Sequence, residues 1–125
     1  KGLRKITDLG DYWEKHTGHS IPLGGIVIKR SLPVTIQQSV DRLIRESIEY
    51  AYRHHHAELT DYVKKHSQEM SEAVMRQHID LYVNKYSINL GEEGRTAVNK
   101  LLEVYKQDHP GIHLRDDVFL DTSVA

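Results

Sequence analysis

A chain of 125 residues with 38% hydrophobic content is long enough for one modest core and falls in the single-domain size range. Seventeen Lys and Arg stand against 18 Asp and Glu, so no net field favours nucleic acid or an anionic membrane surface. Cysteine is absent, which excludes disulfides, thiolate chemistry and cysteine-based zinc or iron–sulfur sites. The longest apolar run, Ile21 to Ile28, contains two Gly and one Pro and is too short to span a bilayer.

Lys1-Gly-Leu-Arg-Lys5 carries no initiator Met, no apolar secretory core and no transit-peptide character, and reads as the interior of a longer protein. Thr7 or Asp8 then caps a helix whose Leu9, Tyr12 and Trp13 share one face, with Gly18 suited to the left-handed position beyond its end near His16. Ile26, Val27 and Ile28 give a strand that is apolar on both faces, as strands inside a covered sheet are. Gly24 and Gly25 ahead of it permit close approach of a backbone or ligand. Nothing else in the chain offers this strand a convincing partner, so the element that completes its sheet is expected elsewhere. Pro33 closes the connection and opens the next element.

From Val34 to about His54, Ile36, Val40, Leu43, Ile44, Ser47, Ile48 and Ala51 hold a 3.6-residue period over some five turns, a long amphipathic helix. Leu59, Tyr62, Val63 and His66 make a shorter one. Val74, Met75, His78, Ile79 and Tyr82 make another after the cap candidate Ser71, and Asn84 to Leu90 reads as a connection. Gly91 to Gln107 returns to helix, with Glu92 and Glu93 in a first turn that favours negative charge and Ala97, Val98, Leu101, Leu102 and Tyr105 as its stripe. His109-Pro110-Gly111 stops it. In the tail, Ile112 to Ala125, Val118-Phe119-Leu120 reads as a short strand or a frayed end.

Several constellations invite a chemical reading that their spacing does not support. His54-His55-His56 are adjacent helical residues pointing about 100° apart, which cannot chelate one ion together; a helix C-terminus, where imidazole suits the macrodipole, accounts for them. His78 on an apolar stripe reads as a satisfied interior residue before it reads as an acid or base, and Tyr12 with Trp13 as core before a stacking platform. Ser67 and Ser71 near His66 lack a nucleophile elbow and a placed acid, and Gly91-Glu-Glu-Gly94 has acids where phosphates would bind.

Asp8-Leu-Gly-x-Tyr-Trp-Glu14, Ile21-Pro-Leu-Gly24, Ser47-Ile-Glu-Tyr-Ala51, His66-Ser-Gln-Glu-Met70 and His78-Ile-Asp-Leu-Tyr-Val-Asn84 followed by Leu90-Gly91 together resemble the 1,4-dihydroxy-6-naphthoate synthase family of the futalosine route to menaquinone. The resemblance runs in order from about Leu3 to Tyr105. It implies a two-lobed α/β fold like that of periplasmic solute-binding proteins, with substrate between the lobes, of which this chain is the C-terminal half, mostly helical with one hinge or core strand. Residues 1–20 would then end the second lobe, 21–31 form the hinge strand, 32–108 be helices packing on the first lobe, and 109–125 be a tail.

The same resemblance implies a cytoplasmic lyase that opens a cyclic futalosine-derived substrate and uses no metal or organic cofactor. The family's proton-accepting histidine lies in a His-Glu-x-x-Arg-Phe-like segment upstream of Lys1, so no catalytic residue is expected in this chain and the chain alone is expected to be inactive. Gly24, Gly25, Tyr82 and Asn84 are the candidates for lining the cleft, Gly for backbone approach and Tyr and Asn for neutral polar contacts, with packing or helix capping as the alternative role for the same residues. The expected partner is the small-molecule substrate of the longer protein, with neither nucleic acid nor membrane. The rival readings are a solute-binding protein without catalysis and a stand-alone helical interaction module. The exposed strand Ile26 to Ile28 is the expected edge for self-association.

Overall fold

The computed structural model describes residues 2–55, 58–68 and 71–120. Six helices follow one another: α1 (Leu9–Thr17), α2 (Val34–His55), α3 (Asp61–His66), α4 (Glu72–Tyr82), α5 (Lys85–Ile88) and α6 (Gly91–Asp108). Among the described residues there is no strand and no sheet, which corrects the expected two-lobed α/β fold with its hinge strand. The physical reason lies in the ladder. Residues 21–29 form no helix, yet a strand exists only when its N–H and C=O groups pair with a neighbouring one, and no described segment offers that pairing. The alternative of a short strand at Val118–Leu120 fails for the same reason.

The chain divides into two units. The first joins the residues up to Gly25 with Gly91–Phe119. Its α1 begins where Asp8 Oδ1 accepts from the backbone N–H of Gly10 at 2.9 Å and of Asp11 at 3.3 Å, while Lys5 Nζ pairs with Asp8 Oδ2 at 2.9 Å. It ends at Gly18, whose φ of 73° is the left-handed cap that only glycine adopts cheaply. In α6 the acids Glu92 and Glu93 occupy the first turn, and Gly94 and Ala97 are its buried positions. The tail returns to this helix, with the Arg95 guanidinium 4.8 Å from the centroid of the Phe119 ring.

The second unit contains Ile26–Leu90. Its most extensive helix pairing sets α5 against α2. Leu59 and Met75 are its buried apolar side chains, at 6% and 7% exposure. Gln37, buried in the first turn of α2, donates from Nε2 to the carbonyls of Leu32 at 2.7 Å and Arg30 at 3.3 Å, which fastens the incoming turn to the helix. Thr60 caps α3 by accepting from Val63 N–H, and Glu72 at the start of α4 pairs with Arg76 at 2.7 Å and Lys64 at 3.5 Å. The region expected as a plain connection, Asn84 to Leu90, contains α5. A single turn has too few residues to display a period, but Asn84 caps it.

Large apolar side chains remain in solvent throughout. Leu9, Leu23, Ile26 and Val27 are 73%, 57%, 78% and 92% exposed, and the α2 stripe residues Ile36 and Leu43 are 48% and 55% exposed. The amphipathic pattern of α2 is therefore real, but much of its apolar face is left uncovered by the described residues.

Candidate functional site

Two of the four candidate lining residues come together at the junction of α4 and α5. Tyr82 ends α4 and is 63% exposed, and Asn84 is half-buried two residues later. The junction is closed on itself. Asn84 Oδ1 accepts from Tyr86 N–H at 3.0 Å, and its Nδ2 donates to the Leu81 carbonyl at 3.2 Å. Ser87 Oγ accepts from Asn84 N–H and donates to the Tyr82 carbonyl, each at 3.2 Å. The Asn84 amide thus serves as the capping side chain of α5, and the ring of Tyr82 is what the junction presents outward.

The junction is held from α2. The Tyr52 hydroxyl donates to the Val83 carbonyl, which lies between the two candidates. An open depression beside this contact is lined by Glu49, Tyr52 and Arg53 of α2 and Ile88 of α5. Glu49 and Arg53 are exposed at its rim, and Tyr52 and Ile88 are half-buried. Sequence reasoning missed Tyr52, because a bond to a carbonyl 31 residues away leaves no trace in local periodicity. The Asn84-x-x-Ser87 spacing is a capping signature that could have revealed α5.

Gly24 and Gly25 belong to the other unit. Both are exposed, and a Cβ added at either would meet nothing within 4 Å. Neither has the positive φ that would demand glycine.

Two expectations about aromatic and imidazole burial are corrected. His78 is exposed on α4, which buries Met75 instead. Tyr12 is 56% exposed and stacks on His16, whereas Trp13 is half-buried with its indole N–H lacking a hydrogen-bond partner. Among the described residues no three His, Asp or Glu side chains converge in a way that would hold a metal ion. No described helix is long and apolar enough to cross a membrane.

The arrangement is a helical scaffold with a capped, aromatic-tipped junction on one unit and an unencumbered glycine pair on the other. The family profile for menaquinone biosynthesis matches residues 1–107, and the chain belongs to that family. The chain is 41% identical over 100 residues to the 1,4-dihydroxy-6-naphthoate synthase of Thermus thermophilus, a match covering 80% of this chain and 36% of the relative. It is 43% identical over 101 residues to the protein of the same name from Streptomyces coelicolor, covering 81% of this chain and 36% of the relative. The matched region is thus little more than a third of the curated relatives' length. No solved structure matches.

Proposed function

We propose that this chain supplies the helical C-terminal portion of a cytoplasmic lyase of menaquinone biosynthesis, which converts cyclic dehypoxanthinyl futalosine to 1,4-dihydroxy-6-naphthoate. The observation that carries this reading is the identity of 41% and 43% to two synthases from different bacteria, sustained over four-fifths of the chain. Proton abstraction needs a base within hydrogen-bond reach of the substrate in a pocket that excludes water. None of the nine histidines here matches the family's proton-acceptor segment, so the base and the carboxylate-binding loops come from the remainder of the polypeptide. Each unit of this chain contributes its own lining positions: Gly24 and Gly25 on one, open to a ligand or a backbone, and on the other Tyr82, held in place by Asn84 through the α5 cap.

The exposed apolar residues fit the same reading. The relatives carry nearly two thirds of their length outside the match, and that remainder is the partner proposed to cover Leu23, Ile26, Val27 and the open stripe of α2. Without it, Ile26 to Ile28 is the segment through which copies of the chain associate.

The test is turnover of the cyclic substrate by the chain alone, by the unmatched portion of the Thermus thermophilus relative alone, and by the two mixed. Activity in the mixture only is the expected result. Turnover by the chain alone would refute the division of labour. Substrate binding without turnover in the mixture would favour a solute-binding protein.

A further inference from the structure

Five of the seven tyrosines are followed four residues later by a histidine: Tyr12 by His16, Tyr50 by His54, Tyr52 by His56, Tyr62 by His66 and Tyr105 by His109. His56 lies outside the described residues. The other four pairs stand at the C-terminal ends of α1, α2, α3 and α6, and their ring centroids are 3.9, 4.2, 4.3 and 4.2 Å apart. In three of them the imidazole Nδ1 also reaches the carbonyl of its own tyrosine, at 2.7 Å for His16, 2.8 Å for His66 and 2.9 Å for His109. A carbonyl only accepts, so Nδ1 must carry the proton, and the neutral ring keeps its lone pair on Nε2. Tautomer and ring orientation are fixed together.

We propose that Tyr-x-x-x-His is a helix-closing clamp repeated along this chain. The imidazole N–H is a second donor to a tyrosine carbonyl that already faces the backbone N–H four residues on, and the ring contact, stacked in α1 and α6 and tilted in α2 and α3, ties the side chains of the last turn together. Two observations explain why such a device is needed. Neither α1 nor α3 has a buried residue, and they run only nine and six residues, in a range where an isolated helix is marginal in water. Among the described residues, positive φ occurs only at Gly2, Gly18 and Gly91, so α1 alone ends on a left-handed glycine, and α3 ends on extended Ser67. Local closure does here what packing does for longer helices. Lys15, Lys64, Lys65 and Lys106 in the same last turns add favourable charge at the negative end of the dipole.

The clamp makes a prediction that a merely exposed histidine does not. Ring-nitrogen NMR of the intact chain with neutral imidazoles should show the Nδ1–H tautomer at His16, His66 and His109. His78 and His113, which have no tyrosine four residues earlier, should show the Nε2–H form that dominates in free imidazole. The triple variant H16A/H66A/H109A should lose helical ellipticity, with the open fraction of each last turn rising roughly fivefold, the ratio expected for one net hydrogen bond. The triple Phe variant, which keeps the ring contact but not the donor, should lose less. Nε2–H at the three sites, or unchanged ellipticity in the Ala variant, would overturn the proposal. The tautomer measurement uses the unsubstituted chain, so a variant that fails to fold cannot obscure the answer.

Discussion

The hydroxyl of Tyr52 donates to the carbonyl of Val83, so that a residue near the end of α2 sets the place where α4 stops and α5 begins. The bond spans 31 residues of sequence, and its acceptor stands between Tyr82 and Asn84. Tyr52→Phe keeps the ring in the α2–α5 contact and removes only the donor, leaving a half-buried carbonyl unpaired. It should lower stability by about 1 kcal/mol, the usual net worth of such a bond. Amide exchange should rise selectively in residues 84–88, and uniform acceleration across α2 would argue against the tie.

Gln37 performs the same task at the other end of α2. Both protons of its Nε2 amide are used on the carbonyls of Arg30 and Leu32, in a buried position. Gln37→Leu preserves much of the volume while removing both of the bonds that the buried amide donates, and should cost roughly 1–2 kcal/mol, more than a surface substitution would. A denaturant titration of the variant measures this directly. A cost near zero would mean that water replaces the amide.

Met75 is the most buried side chain of α4. Met75→Ala should destabilise by about 2 kcal/mol, at the low end for core truncations because so few neighbours are themselves buried, whereas Met75→Leu should cost under roughly 1 kcal/mol. Equal melting of the two variants would show that α4 is held by its ends rather than by this contact.

Much of this architecture is legible in the sequence because periodicity reports long helices well. α1, α2, α4 and α6 begin and end close to where their apolar stripes and caps place them. The misread strand shows the limit. Ile26, Val27 and Ile28 have the composition of a covered strand, but strand formation is a property of two segments, and composition reports only one. His78 fails differently: its spacing puts it on the stripe, yet α4 buries so little that a position on the stripe does not ensure burial. Of the candidate residues, Asn84 makes the helix cap that its residue type already allowed, and the structure shows which helix it closes. The holding contacts of Gln37 and Tyr52 were invisible, since a side-chain bond to a backbone carbonyl obeys no period.

Gly24 and Gly25 allow a separation of local from distant constraint. A Cβ at either position meets nothing within 4 Å, so Gly24→Ala and Gly25→Ala should leave the stability of this chain unchanged or raise it by up to about 0.5 kcal/mol through lower unfolded-state entropy. If the proposed cleft forms when the rest of the polypeptide is present, the same substitutions should then reduce substrate affinity in the complemented mixture. Thermal melts of the chain and binding to the mixture measure the two effects separately. A loss of stability in the chain alone would assign the glycines a local role instead.

The charge cluster at the start of α1 carries a pH dependence whose sign follows from its geometry. The Lys5 ammonium hydrogen-bonds Asp8 and, with the backbone N–H groups of Asp11 and Gly10, holds its carboxyl below the ordinary value of 3.8. Glu72 is lowered likewise, first by Arg76 and then by Lys64. A depressed carboxylate contributes stability that is fully present above its unfolded value and is lost as pH falls through its folded one. The contribution of the Asp8 cap to α1 should therefore be constant from neutral pH down to the ordinary carboxylate range and decline only below it. Because both groups are exposed, the decline should shift with salt. Asp8→Asn retains an acceptor for Gly10 N–H but has no proton to gain, so the Gly10 amide resonance should lose its acid transition in that variant. A transition that persists unchanged in Asp8→Asn would place its origin in another group.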